Sequence, residues 1–81
     1  MNNSHEEILS KLNDIFRQVF GDNSLTINVT TTSNDIERWD SISLANLIYN
    51  IEIEFNIKID IIESFQWLNV GDICKCIESK I

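Results

Sequence analysis

Basic residues are scarce in this 81-residue chain: six lysines and arginines stand against 13 acids, a net charge of −7. A phosphate backbone needs a denser set of cations, so nucleic acid is excluded as a partner class and basic protein surfaces fit better. Long hydrophobic runs are missing as well. None exceeds three or four residues, against the roughly 18 that span a bilayer, and Met1 to Glu7 have neither the basic nor the apolar part of a leader. These absences predict a soluble, cytoplasmic protein with no membrane insertion. Histidine occurs once, as His5, and there is neither a glycine-rich phosphate loop nor a metal-spaced Cys/His set. Catalysis by this chain itself and a bound metal are therefore not expected. Cys74 and Cys76 are two apart, about 200° round a helix, and cannot readily bridge or chelate together. They read as small buried or half-buried helix residues, and reduced thiols agree with a cytosolic setting.

What is present suits one small domain over residues 1–81, with 43% hydrophobic residues to supply a core. Ser4-His5-Glu6-Glu7 has the form of a capping box, the Ser4 hydroxyl and the Glu7 carboxylate each satisfying a free backbone N–H. Ile8, Leu9, Leu12, Ile15, Phe16, Val19 and Phe20 then recur at three- and four-residue intervals, and Gly21 supplies a left-handed stop. A first helix is predicted over 5–20. Residues 22–40 lose that period and are rich in Asn, Thr, Ser and Asp, whose side chains bond to nearby backbone. They read as a long ordered loop anchored by Leu25, Ile27, Val29, Ile36 and Trp39, with a short turn beginning near Ser33.

From Ser41 to Phe55 the apolar residues are too many for one stripe, so this helix is expected to be central and largely surrounded. Leu44, Leu47, Ile48, Ile51 and Phe55 are its core candidates. Ile42, Ala45 and Tyr49 form a second line beside Ser41 that must meet another element or a partner. Asn56 suits a left-handed helix end, and Ile57-Lys58-Ile59 an extended connector. Asp60 opens a short helix expected to reach about Trp67, and Asn69 caps a last helix carrying Ile73, Cys74, Ile77 and Ile81. The fold class is all-α: three main helices plus one short one, with a long loop between the first and second.

Asp40-Ser41-Ile42 sets a serine in the first turn of the central helix. A hydroxyl there is exposed, and an anion joined to it would sit at the positive end of the helix dipole; the same residues also make an ordinary cap. Their context resembles the acyl carrier protein family, whose D-S-L/I motif opens the second of four helices. The register continues without gaps through Leu47, then Ile51-Glu52-Ile53-Glu54-Phe55, similar to the family's L-E-x-E-F, then Ile57-Lys58-Ile59 (I-x-I) and Val70-Gly71-Asp72 (V-G-D). The resemblance implies a small four-helix bundle of the acyl-carrier type that is no enzyme itself. It implies that Ser41 carries a covalent 4′-phosphopantetheine, transferred from coenzyme A by a phosphopantetheinyl transferase of the holo-acyl carrier protein synthase type. Asp40 would cap the helix and serve transferase recognition. The arm would hold acyl groups as thioesters for acyl-loading and acyl-processing enzymes, in fatty-acid-like or in specialised biosynthesis such as polyketide-like, sugar-modifying or polysaccharide-modifying pathways.

Charge is uneven: residues 35–63 hold seven acids against Arg38 and Lys58, a net of −5. With the resemblance, this suggests a docking face of Ile42, Ala45, Tyr49, Glu52, Glu54 and Glu63 against basic patches on partner enzymes. Ser43, Asn46 and Ile53 stand where the fatty-acid type of carrier usually has acids, and Trp39 replaces the usual glycine-rich approach, a pattern similar to free-standing carriers of specialised pathways. Trp39 and Tyr49 are open between docking and packing. An aminoacyl, peptidyl or D-alanyl carrier shares the fold and the serine, and a helical interaction module with no tether is the reading from a different class. A monomer is expected.

Overall fold

The computed structural model describes residues 5–36 and 39–81, so Ser4 and its half of the predicted capping box lie outside the described residues. Four α-helices follow one another: α1 (His5–Phe20), α2 (Ser41–Phe55), α3 (Ile61–Ser64) and α4 (Val70–Glu78), with a 3-10 turn at Ser33–Asp35. The described residues contain no strand and no helix long and apolar enough to cross a membrane.

The apolar stripe of α1 buries Ile8, Leu12, Ile15, Phe16 and Phe20, with acids in its first turn and Arg17 in its last, each on the side the helix dipole favours. Gly21 takes φ +63° and ends it. α1 packs on both α2 and α4, so α1, not the expected second helix, is the element common to the main contacts. From α4 the core receives Val70, Ile73, Cys74 and Ile77, and from α2 Leu47, Ile48, Ile51 and Phe55. Leu44, expected with these, is only partly buried. The two thiols are free, Cys74 buried and Cys76 half-buried.

The long loop is tied down by specific bonds. Asn13 on α1 acts as a strand partner would, its side chain accepting from the Ile27 N–H at 2.8 Å and donating to the Ile27 carbonyl at 3.2 Å. Arg17 Nε donates to the Leu25 carbonyl at 2.6 Å. Further on, the first N–H groups of α4 find loop carbonyls: Val70 donates to Thr31 at 2.8 Å and Gly71 to Val29 at 2.9 Å. Helix-start donors have no partner within their own helix, so these bonds both close the loop and complete α4. The Asn69 side chain accepts from the Asp72 N–H, and the Asp72 carboxylate accepts from the Leu68 N–H. Gly71 suits this close approach, because a Cβ there would lie 3.0 Å from the Val29 carbonyl oxygen and the loop would have to give way. Trp39 anchors the end of the loop, its ring meeting Phe16 edge-on at 5.4 Å and Phe20 at 6.3 Å. Packing is thus one observed role for Trp39.

Ile81, expected on the last helix, lies beyond the end of α4 at Glu78 and is exposed. Two further expectations need correction. α3 stops at Ser64, short of Trp67, because the Ser64 hydroxyl donates to the Ile61 carbonyl. That carbonyl would otherwise take the Phe65 N–H, which turns instead to Ile62, and Gln66 and Trp67 likewise bond three residues back. The second correction concerns α2, which is not largely surrounded: Ile42, Tyr49 and Ile53 are 73%, 63% and 62% exposed.

Candidate functional site

Asp40 opens α2 in extended backbone. Its Oδ1 accepts from the N–H groups of Ile42 at 3.0 Å and Ser43 at 2.9 Å, while the Ser43 hydroxyl accepts from the Asp40 N–H at 2.8 Å. This reciprocal pair is a capping box with serine at the third position. It accounts for Ser43 where an acid was the expected family residue: the side chain is buried in the cap. The Ser43 N–H holds the Asp40 carboxyl below its usual value of 3.8, with the Ile42 N–H and the Ser43 hydroxyl helping it to outweigh an opposing desolvation.

Ser41 is the first helical residue and is exposed. The cap uses the donors of its successors, the Leu44 N–H going to the Asp40 carbonyl at 2.9 Å. Among the described residues none bonds to the Ser41 hydroxyl, so it stands free at the positive end of a 15-residue helix. The chemistry available there is a hydroxyl that can be esterified by a phosphate without breaking any fold contact, and the residues present fit a phosphate-linked arm. No group of three or more metal-ligating side chains exists among the described residues.

Beside this turn is a recess of about 240 Å³ whose walls include Trp39, Asp40, Leu44, Ser64, Trp67 and Leu68. Typical small-molecule pockets run roughly 300–1,000 Å³, so it can shelter a part of an attached group only. Leu68 and Ile53, both exposed, were not among the sequence candidates. The surplus of apolar residues in α2 was the available signal for Ile53, and none pointed to Leu68.

The structure divides the six docking candidates. Ile42, Ala45 and Tyr49 are all exposed and lie on the α2 face that adjoins Ser41. Glu52 is half-buried, its Oε2 accepting from the Ile59 N–H at 2.8 Å, which pins the connector after α2. Glu54 points to α1, 3.9 Å from Lys11 Nζ. On α3, Glu63 accepts from the Asp60 N–H at 3.0 Å and pairs with Lys80 at 3.2 Å; the Asp60 N–H and then Lys80 hold its carboxyl below the usual range. His5 is exposed and lies 2.8 Å from Glu78, linking the ends of α1 and α4.

No model of a known protein family matches the chain. An acyl carrier protein of Thermotoga maritima is 32% identical over 78 residues, 96% of this chain and 96% of its own. Among solved structures, the solution NMR structure of a holo acyl carrier protein from Geobacter metallireducens superposes with a TM-score of 0.83 at 41% identity, covering 90% of this chain and 84% of that one.

Proposed function

The chain belongs to the acyl carrier protein family, and from that premise we propose that Ser41 is the attachment point of a 4′-phosphopantetheine arm on a single carrier domain over residues 1–81. As a member of that family the protein is a carrier and not an enzyme. The observation that carries the Ser41 assignment is its free, exposed hydroxyl at the first position of α2, next to a cap that leaves it unbonded. When attached, the arm supplies a thiol that carries acyl cargo as a thioester. The chain's own residues do the rest: Asp40 fixes the helix start and serves recognition by a phosphopantetheinyl transferase, the dipole of α2 favours the phosphate, and the recess by Trp39 and Leu44 receives the near part of the arm or cargo. Partner enzymes that load and process the acyl group meet the protein over Ile42, Ala45 and Tyr49. We place the carrier in the cytoplasm as a monomer, in fatty-acid-like or specialised biosynthesis, a setting with which its free thiols agree.

Incubation with coenzyme A and a broad-specificity phosphopantetheinyl transferase, read by intact mass, tests the proposal. The expected result is a gain of one phosphopantetheine that Ser41→Ala abolishes while its circular dichroism stays that of the wild type. No gain with a transferase shown to be competent on another carrier would refute it.

A further inference from the structure

The acids that sequence reasoning assigned to docking are not on the line of α2 that runs from Ser41. Between Ser41 and Ile51 this helix has no charged residue. Ile42, Tyr49 and Ile53 share one line, each within roughly 20° of Ile42 round the helix, and all are more than half exposed. Leu68, also exposed, borders the recess with Leu44, which lies roughly 160° round α2 from Ile42, and so stands apart from this line. Glu54 lies roughly 120° away from Ile42, toward Lys11, and the carboxylates of Glu52 and Glu63 already accept backbone N–H groups. A basic patch brought over the line would lose its hydration against isoleucine and meet no carboxylate there. An apolar patch would instead bury exposed side chains, which is what contiguous surface hydrophobics in a soluble fold signify.

We infer that the enzymes acting at Ser41 seat on Ile42, Tyr49 and Ile53 through an apolar patch, and that their docking is weakly dependent on salt. The inference rests on Ser41 being the tether, because the tether fixes which surface a partner must cover. The probe is a broad-specificity phosphopantetheinyl transferase with coenzyme A, its kcat/KM measured on four proteins at low and high sodium chloride. Tyr49→Glu and Ile53→Glu, both at exposed positions, should lower kcat/KM by about tenfold or more. The double variant Glu52→Gln, Glu54→Gln keeps the Glu52 acceptor as an amide oxygen and should stay within about twofold of wild type, and the wild-type value should itself change less than about threefold across the salt range. The reverse pattern, with a steep loss in salt and in the double variant but none in Tyr49→Glu or Ile53→Glu, would overturn it. A wild-type dimer in sedimentation that Ile53→Glu dissociates would also overturn it, by giving the face to a second copy. In both cases wild type is still modified; an unmodified wild type means that the tether reading has failed instead.

Discussion

The starts of α2 and α4 obey the same rules and end in opposite conditions. Each has an Asx residue at the cap, Asp40 and Asn69, whose side-chain oxygen accepts from the third residue's N–H. At α4 the N–H groups of Val70 and Gly71 are clasped by the carbonyls of Thr31 and Val29, the first helical residue Val70 has no exposed surface, and a Cβ on Gly71 would crowd the Val29 carbonyl. At α2 the first helical residue is Ser41, exposed and with its hydroxyl unbonded by any described residue. Both are properly capped, so capping does not distinguish a structural helix start from a functional one. What distinguishes them is whether the chain returns to cover the first turn.

That contrast can be broken from either side. Ser41→Ala should remove attachment of the arm completely and leave the unfolding free energy within about 0.5 kcal/mol of wild type, as surface changes usually do, measured by intact mass and urea unfolding on the same sample. Val70→Ala at the corresponding position of α4 should do the reverse, costing about 2–3 kcal/mol through lost burial while the folded fraction is still modified. Gly71→Ala should cost about 1–3 kcal/mol, since the contact at 3.0 Å is with backbone oxygen and the loop must shift to admit a methyl group; thermal melting should show it, with modification again retained. If Gly71→Ala melted like the wild type, the clasp between loop and α4 would not be as tight as drawn. The smallest effect belongs to the Asp40 carboxyl. Its folded pKa is lowered below 3.8, so its contribution to stability is present above that value and is lost as pH falls through the folded one. Asp40→Asn keeps an oxygen for the cap and should therefore give a shallower decline of stability between about pH 5 and pH 2, checked by urea unfolding across that range.

Much of this was legible in the sequence because it is local. Gly21 and Asn56 do take left-handed backbone, Asp40 and Asn69 do cap, and the turn near Ser33 forms with Thr32 as its cap. The position of Ser41 follows from Asp40 and needs no tertiary knowledge. What was not legible depends on groups distant in sequence or on competition between equals. The bond from the Ile59 N–H to Glu52 converts a charge into a brace, and no periodicity reports that. The early end of α3 turns on which donor reaches the Ile61 carbonyl first, the Ser64 hydroxyl or the Phe65 N–H. The surplus apolar residues of α2 announced either burial or a partner, and only the fold could show that Ile42, Tyr49 and Ile53 are left outside.

The central claim is that Ser41, and not its neighbour two residues on, is the tether. Fragmentation mass spectrometry of the peptide that spans residues 39–58 after treatment with coenzyme A and transferase tests it most directly, because Ser41 and Ser43 differ in this structure as free hydroxyl and buried cap. All of the added mass should lie on Ser41. Added mass on Ser43, or on any serine outside this peptide, would contradict the account.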